Sequence, residues 1–164
     1  MKILGIDPGI AIMGYGVVEF DGNKVKVIEN GVVTTSSKTK TPERLNILYD
    51  NLNEIINQHK PDEFAIEELF FNQNVKTAIT VGHARGVQVY CAQANNLPIY
   101  EYTPLQIKQA ITGYGRASKT QMQKTVTTLL NLKEIPKPDD AADALSVALC
   151  HALSQRFKEN FRMN

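Results

Sequence analysis

Asp7 is the first residue in the chain whose type and position suggest chemistry. It ends the apolar run Ile3-Leu4-Gly5-Ile6, which predicts a buried strand, and Pro8-Gly9 stops regular structure directly after it. A carboxylate is therefore expected at the end of a central strand, where sites commonly form. The residue could instead cap a turn before the proline, and the acids later in the chain decide between these interpretations.

A second carboxylate closes another predicted strand. The segment Glu63-Phe64-Ala65-Ile66-Glu67 follows a break at Pro61-Asp62 and is typical of a short buried strand that ends in acid. Glu68 comes next, so the residues alone leave open which of Glu67 and Glu68 would face a site. Two predicted strands thus carry acids at their ends.

A third acidic group opens the last predicted helix. Asp139 and Asp140 follow Pro136-Lys137-Pro138 and suit the positive end of a helix dipole. Asp143 has no such role, because its neighbours are mostly alanine, leucine and valine, so we expect it to be buried and to need a partner. Asp140 and Asp143 are three residues apart and therefore share a helix face.

These acids predict a site for divalent cations if the fold brings them together. Two unit charges about 4 Å apart repel by about 4 kcal/mol at an effective dielectric of about 20, so several ionised carboxylates need protonation or a cation. Oxygen ligands without Cys or His select a hard cation, and Mg²⁺ is the usual choice beside phosphate. Two such ions about 4 Å apart would clamp a scissile phosphate, so the predicted reaction is phosphodiester hydrolysis. The candidate catalytic and metal-binding residues are Asp7, Glu67 or Glu68, Asp140 and Asp143.

His151 lies eight residues after Asp143, about two helical turns along and roughly on the same face. A lone helix histidine is more often structural than functional, so it is not included among the candidate site residues.

Length and composition narrow the class of protein. With 164 residues, of which 43% are hydrophobic and 21% charged, the chain is expected to form one globular domain over residues 1–164. No apolar run approaches the roughly 18 residues of a membrane span and no signal-peptide pattern opens the chain, so a cytoplasmic protein is expected. Cys91 and Cys150 lie far apart without metal-type spacing and are expected to be reduced core residues.

The elements that would position the acids follow from the spacing of apolar residues. Alternation predicts a hairpin across Asp21-Gly22-Asn23, with a possible bulge at Asn30-Gly31. Thr41 is a plausible N-cap, with Pro42 in the first turn of an amphipathic helix. The predicted strands are 2–7, 14–20, 24–29 with an extension to 34 left open, 63–67 and 98–102. The predicted helices are the one after Thr41, then 77–94, 105–111, 118–132 and one from about 139 to 157.

This order describes an antiparallel ribbon that is extended by parallel strands and covered by helices. It is the order of an α/β, RNase H-like fold with a five-stranded mixed sheet flanked by helices. In that fold the first strand, the fourth strand and the last helix can converge, which would bring the acids together.

The charge distribution indicates a possible polyanion-binding surface. Residues 1–101 carry nine basic and twelve acidic residues, whereas residues 102–137 carry six basic residues and only Glu134 as an acid. Such a block could bind nucleic acid or could be an ordinary solvated helix face. The six basic residues are Lys108, Arg116, Lys119, Lys124, Lys133 and Lys137.

Small residues recur every four positions in the predicted helix 77–94, at Ala78, Gly82 and Gly86. Glycine costs about 1 kcal/mol in a helix interior relative to alanine, so close approach of another backbone would be a compensation. That backbone could belong to the sheet or to a partner subunit.

Taken together, several motifs resemble the RuvC family of Holliday-junction resolvases, over nearly the whole chain and in the right order. Each motif is weak alone, and their joint occurrence is specific. The motifs are Gly5-Ile6-Asp7-Pro8-Gly9 with Gly14-Tyr15-Gly16, Ala65-Ile66-Glu67, His83-Ala84-Arg85-Gly86, the run from Gln106-Ile107-Lys108 through Gly113, Gly115, Lys119 and Gln121, and Asp140-Ala141-Ala142-Asp143-Ala144.

The resemblance implies a Mg²⁺-dependent homodimeric endonuclease, with Mn²⁺ as a substitute, that cuts two opposed strands of four-way junction DNA. It also implies a branch-migration helicase complex as a partner. Glu67 matches the family's catalytic glutamate, which leaves Glu68 without a chemical role. Phe70 matches an aromatic that stacks on an unpaired base, with core packing as the alternative.

The resemblance also gives the basic block a role. Lys108 and Lys119 match lysines beside the scissile phosphate, and Arg116 and Lys124 are expected to extend this DNA-binding surface. The family dimerises through its small-residue helix, which would account for Ala78, Gly82 and Gly86.

One segment departs from the family pattern. Residues Ile10-Ala11-Ile12-Met13 stand where many members carry polar or basic residues, so the sequence leaves open whether this loop contacts phosphate. Two other functions remain open: a junction-binding protein without cleavage, and an actin-like nucleotide-binding lobe, which also opens with Asp-x-Gly and a hairpin. The actin-like proteins need two lobes, and the length supplies one.

Overall fold

A computed structural model describes residues 1–69 and 75–163, except for the side chains of residues 75–77. Five strands and five helices make up this part of the chain. The strands are β1 (Lys2–Asp7), β2 (Ile12–Phe20), β3 (Val25–Thr34), β4 (Glu63–Glu67) and β5 (Ile99–Tyr102). The helices are α1 (Thr41–His59), α2 (Val75–Ala94), α3 (Pro104–Thr112), α4 (Lys119–Leu129) and α5 (Asp139–Leu153), followed by a 3₁₀ segment, Gln155–Phe161.

The strands form one mixed sheet in the order β3-β2-β1-β4-β5. β1 pairs antiparallel with β2, β2 pairs antiparallel with β3, and β1-β4 and β4-β5 are parallel. An antiparallel ribbon extended by parallel strands is the predicted arrangement, and the RNase H-like fold class is confirmed.

Alternation along the central strands divides the core into two layers. Ile3 packs with α3, α4 and α5 on one face of the sheet, whereas Leu4 and Ile6 pack with α1 and α2 on the other. In β4, Ala65 belongs to the α5 face and its two neighbours belong to the α1 face. Because successive side chains of a strand alternate in direction, Asp7 and the two glutamates of β4 lie on the α5 face.

Two local predictions were wrong. The bulge lies at Ile28 and not at Asn30-Gly31: Val17 pairs with Glu29 and Val18 with Val27, so Ile28 has no partner across the ladder. Thr41 is the first residue of α1 and not its N-cap; Lys40 holds the cap position without a side-chain hydrogen bond.

Sequence-encoded caps fix the starts of α3 and α4. Thr103 accepts from the backbone N–H of Gln106, whose side chain bonds back to the backbone of Thr103, and Ser118 and Gln121 repeat this capping box at α4. The helix α4 ends at Leu129 rather than near residue 132. The helix α5 ends at Leu153, and a 3₁₀ segment replaces the predicted last turn.

Both cysteines are buried and unpaired, as predicted. Burial raises the pKa of Cys91 to about 11 and that of Cys150 to about 12, so neither is a reactive thiolate near neutral pH. Within residues 1–69 and 75–163, no helix has the length and apolarity that crossing a membrane would require.

Candidate active site

Two adjacent parallel strands end in acid at the same edge of the sheet. Asp7 is the last residue of β1 and Glu67 the last of β4, and these strands pair directly, with Ile6 opposite Ile66. Both side chains lie on the face that α5 covers. Asp140 and Asp143 lie in the first turns of α5, which packs across β1, β2 and β4 on this face.

Glycines in β1 and β2 let the start of α5 approach the acid of β1. A Cβ atom on Gly14, the residue paired with Asp7, would lie 2.0 Å from the carbonyl oxygen of Asp140. A Cβ on Gly5 would lie 2.5 Å from the carbonyl oxygen of Ala144. Side chains at either position would push the helix off the sheet, so these glycines bring the acids of α5 to Asp7.

A cavity of about 280 Å³ opens between this acidic edge and the helices α3 and α4. Glu67 and Asp143 supply carboxylates to it, and Lys108 and Lys119 supply cationic groups. The remaining lining residues are Pro104, Ile107, Met122 and Ser146. The cavity therefore combines groups that suit a cation with groups that suit a phosphate.

Burial and crowding make ionisation of the two strand-end acids unfavourable. The pKa of Asp7 rises from 3.8 to about 7, mainly because the group is buried and also because Glu67, Asp143 and Asp140 repel its charge. The pKa of Glu67 rises to about 7 for the same reasons, burial first and then Asp143; Lys108 and Lys119 oppose the shift. The other three acids thus lie close enough to Asp7 to disfavour its ionisation.

Asp143 is half-buried, with 34% of its side chain exposed, and not buried as predicted. The alanines and leucines around it do bury the rest of the helix, but its carboxylate lies at the cavity, 3.2 Å from Nζ of Lys119. Burial raises the pKa of Asp143, and its hydrogen bond with Lys119 offsets part of the increase. Lys119 is therefore a direct partner of a candidate catalytic acid.

Asp139 also contacts Lys119, at 3.2 Å, a contact that sequence reasoning missed. This exposed carboxylate was expected only to complement the helix dipole. The hydrogen bond from Lys119 lowers the pKa of Asp139. The sequence does show that Lys119 is the first residue of α4 and Asp139 the first of α5. Only the fold shows that these two helix starts are adjacent, so the contact could not be predicted.

The donor set of the site consists of carboxylate oxygens, which are ligands for hard cations. Within the described ranges 1–69 and 75–163, no three His, Cys, Asp or Glu side chains form a group that could hold a metal ion as they stand. Asp143 instead bonds to the ammonium group of Lys119. Burial and the neighbouring acids nevertheless disfavour the ionised forms of Asp7 and Glu67, and a cation bound beside them would stabilise those forms.

Comparison with known proteins decides the family. The family model for the crossover junction endodeoxyribonuclease RuvC matches residues 3–151. The RuvC of Caldicellulosiruptor saccharolyticus is 61% identical over 155 residues, covering 94% of this chain and 93% of the relative. The RuvC of Finegoldia magna is 59% identical over 158 residues, covering 96% of each chain. The chain belongs to the RuvC family.

Solved structures agree with this membership. Thermus thermophilus RuvC matches with a TM-score of 0.89 at 36% identity, over 99% of this chain and 98% of that one. The T. thermophilus RuvC in complex with Holliday junction substrate gives a TM-score of 0.90 at 34% identity, over 99% and 100% of the two chains. As a nuclease family, RuvC implies the use of a divalent metal ion.

The basic residues predicted to contact DNA in this RuvC-family chain lie in two places. Lys108 on α3 and Lys119 at the start of α4 line the cavity beside the acids. Arg116, in the loop between these helices, and Lys124, further along α4, are exposed and are not part of the cavity lining. Phe70, the predicted stacking aromatic, lies outside the described residues.

The small-residue face of α2 points away from the sheet. Gly82 and Gly86 are exposed, and a Cβ atom on either would meet nothing within 4 Å in the part of the chain that the structure describes; Ala78 is half-buried. Together with α1, this face borders an open, largely apolar groove of about 580 Å³ that also includes Tyr90. The sequence left open whether these glycines pack against the sheet or against a partner subunit, and their exposure excludes the sheet.

His151 is structural, in line with the sequence expectation. It is fully buried and bonds through Nε2 to Glu63 at 2.7 Å and through Nδ1 to the Tyr102 hydroxyl at 2.6 Å. Burial lowers its pKa, so the neutral ring links these two groups. Glu63 stands at the opposite end of β4 from Glu67, so His151 is not part of the acidic site.

The apolar segment after the first glycine contributes to the core. Ile10 and Met13 are buried on the α1 face. Ala11, between them, is exposed.

Proposed function

We propose that this chain resolves four-way DNA junctions by metal-dependent phosphodiester hydrolysis, in recombination and repair. The observation that carries the proposal is the convergence of acids from β1, β4 and α5 beside a cavity that lysines line, in a member of the RuvC family. The catalytic acids are Asp7, Glu67, Asp140 and Asp143. One domain, residues 1–164, carries this activity in the cytoplasm.

The site fits Mg²⁺, with Mn²⁺ as a substitute, and four acids suit two ions. Bound there, the ions would supply an activated water and neutralise the charge on the leaving oxygen. A bound cation would also lower the pKa values of Asp7 and Glu67, which burial and the neighbouring acids now raise. Ligation by Asp143 requires its carboxylate to exchange the Lys119 ammonium for the cation, at least in part.

The lysines of the cavity have roles of their own in this proposal. Released from Asp143, the Lys119 ammonium becomes available to a phosphate oxygen at the same place. Lys108, on α3, also lines the cavity; its charge favours the ionised form of Glu67 and would attract the DNA backbone. Arg116 and Lys124 extend the contact to phosphates farther from the cut, and Phe70 stacks on a base exposed at the junction.

Homodimerisation would supply two such sites for the two opposed strands of a junction. The exposed glycine face of α2 and its apolar groove support a second copy of the chain as the partner. Ala78, Gly82 and Gly86 would then permit the close helix approach that their spacing predicts. A branch-migration helicase complex would deliver the junction to the dimer.

The test is cleavage of a synthetic four-way junction with Mg²⁺, with a linear duplex of the same sequence and ATP as parallel substrates. We expect paired cuts in the junction only, abolished by Glu67→Gln and by Asp143→Asn, while both variants still bind the junction. Glu159→Gln, at an exposed carboxylate, is the matched control and should cleave normally.

Each alternative gives its own result in this assay. Junction binding without cleavage by the unaltered protein would favour a binding protein. ATP hydrolysis would favour an actin-like nucleotide-binding lobe. Cleavage retained by Glu67→Gln or Asp143→Asn would remove that residue from the proposed site.

A further inference from the structure

Arg85, on the inner face of α2, connects the ends of two strands at the candidate site. Its Nε donates to the backbone carbonyl of Glu67 at 3.2 Å, and its terminal nitrogen lies 2.7 Å from a carboxylate oxygen of Glu101 on β5. The Arg85 side chain is 19% exposed. A guanidinium presents several donors in a fixed fork, so one side chain can hold both groups at once.

Gln88, one turn further along α2, contacts the loop that follows Asp7. It is fully buried, and its Nε2 lies 3.4 Å from the carbonyl oxygen of Gly9. The helix α2 therefore contacts the backbone next to both strand-end acids, Glu67 and Asp7. The Gln88 contact is long for a hydrogen bond, so Arg85 provides the stronger link.

The glycines of the proposed dimer face, Gly82 and Gly86, flank Arg85 in sequence but are exposed, whereas Arg85 points inward. One helix thus presents one face to a second copy of the chain and another to the backbone that carries Glu67. A movement of α2 would therefore displace the backbone of Glu67 through the hydrogen bond between Arg85 and the Glu67 carbonyl.

We propose that Arg85 is a positioning residue that holds Glu67 in place for catalysis by tying the end of β4 to Glu101 and to α2. The inference rests on the proposed function, because it assigns Glu67 a catalytic role. Arg85 acts through the backbone of Glu67 and does not itself touch the reacting phosphate. Loss of such a supporting contact typically lowers activity or metal affinity by about 10- to 100-fold.

The informative variant is Arg85→Lys, which keeps the charge but offers a single ammonium that cannot reproduce the fork. Glu101→Gln is the second variant: it weakens the contact with Glu101 and retains the one with Glu67, so its effect should be smaller. Arg162→Lys is the matched control, since Arg162 is exposed and, among the described residues, its side chain bonds only to Glu159, at 3.5 Å.

Three measurements separate positioning from a general loss of structure. We expect Arg85→Lys to cleave the junction about 10- to 100-fold more slowly and to need more Mg²⁺ for half-maximal rate. Sedimentation should show the same oligomeric state as the unaltered protein. Without metal, hydrogen exchange of the Glu68 amide, which donates to the Tyr102 carbonyl at 2.8 Å, should accelerate in Arg85→Lys and not in the control.

The outcomes distinguish this inference from the proposed function. Unaltered cleavage rate and Mg²⁺ dependence in Arg85→Lys would overturn the positioning role. Dissociation of the variant into monomers would also overturn it, because the loss would then come from assembly. Failure of the unaltered protein to cut any junction would refute the proposed function instead, while faster Glu68 exchange in Arg85→Lys would still support the link between α2 and β4.

Discussion

Replacing Asp7 by asparagine should stabilise the metal-free protein at alkaline pH while abolishing cleavage. The folded chain holds the pKa of Asp7 at about 7, against 3.8 for the free group, because of burial and the charges of Glu67, Asp143 and Asp140. Ionising Asp7 therefore costs folding free energy. Asparagine has nearly the same shape and no charge, so the variant avoids that cost.

The sign and size of the effect follow from proton linkage. An acid whose pKa is raised by folding causes no loss of stability below its unfolded pKa, a growing loss between the two values, and a constant loss above the folded one. Between about pH 5.5 and pH 8 the unfolded Asp7 stays ionised, while the folded one changes from mostly protonated to mostly ionised. Stability then falls by about 2 kcal/mol as pH rises, and screening at this partly exposed site reduces that to about 1–2 kcal/mol.

The assay is urea unfolding of both proteins in EDTA at these two pH values, with Glu159→Gln as a surface-carboxylate control. We expect the stability advantage of Asp7→Asn over the unaltered protein to grow by about 1–2 kcal/mol from the lower to the higher pH. Added Mg²⁺ at the higher pH should then raise the stability of the unaltered protein more than that of the variant. An advantage that does not change with pH would refute the electrostatic reasoning, and an equal response to Mg²⁺ would remove Asp7 from the metal site.

Three further predictions concern DNA binding, assembly and stability. Lys119→Ala should weaken junction binding and reduce the slope of log affinity against log salt by about 1. Lys26→Ala, at an exposed position on β3, should leave the slope unchanged. Equal slopes for the two variants would show that Lys119 does not contact a DNA phosphate. Gly86→Glu should convert a dimer into monomers in sedimentation, because the carboxylate would enter the apolar groove; a dimer that persists would place the interface elsewhere. His151→Leu should lower the free energy of unfolding by about 3 kcal/mol, since it removes the buried hydrogen-bond partner that links Glu63 and Tyr102, while cleavage below the melting temperature continues; lost cleavage in a folded variant would contradict the structural role.

The sheet and its acidic ends could be predicted because their signals are local. The apolar run before Asp7 and the one before Glu67 each specify a short strand, and the strand bounds at Glu63–Glu67 match the prediction residue for residue. The parity of side chains along a strand then places an acid on a defined face. Convergence of these strands with α5 required only the order of the elements.

The contacts that complete the site could not be predicted, because they join distant segments. Asp143 was expected to be buried because of its apolar neighbours, but its exposure depends on where α4 begins and where Lys119 points. The sequence shows Gly14 as part of a motif but does not show why glycine is needed there. The reason is that a carbonyl oxygen of α5 lies close to this residue in the fold. The bulge at Ile28 reflects the ladder between two strands and has no marker of its own in sequence.

The contrast between the two glutamates of β4 explains why only one end of this strand is a candidate site. Burial would raise the pKa of Glu63, but hydrogen bonds from Lys158 and His151 outweigh burial and lower it. Glu67 is buried and lies near the charge of Asp143, and both effects raise its pKa to about 7. Protein donors already stabilise the charge at Glu63, and a cation would gain little there. At Glu67 the fold leaves negative charge that its own lysines only partly offset, so the free energy of binding a divalent ion is most favourable at that end.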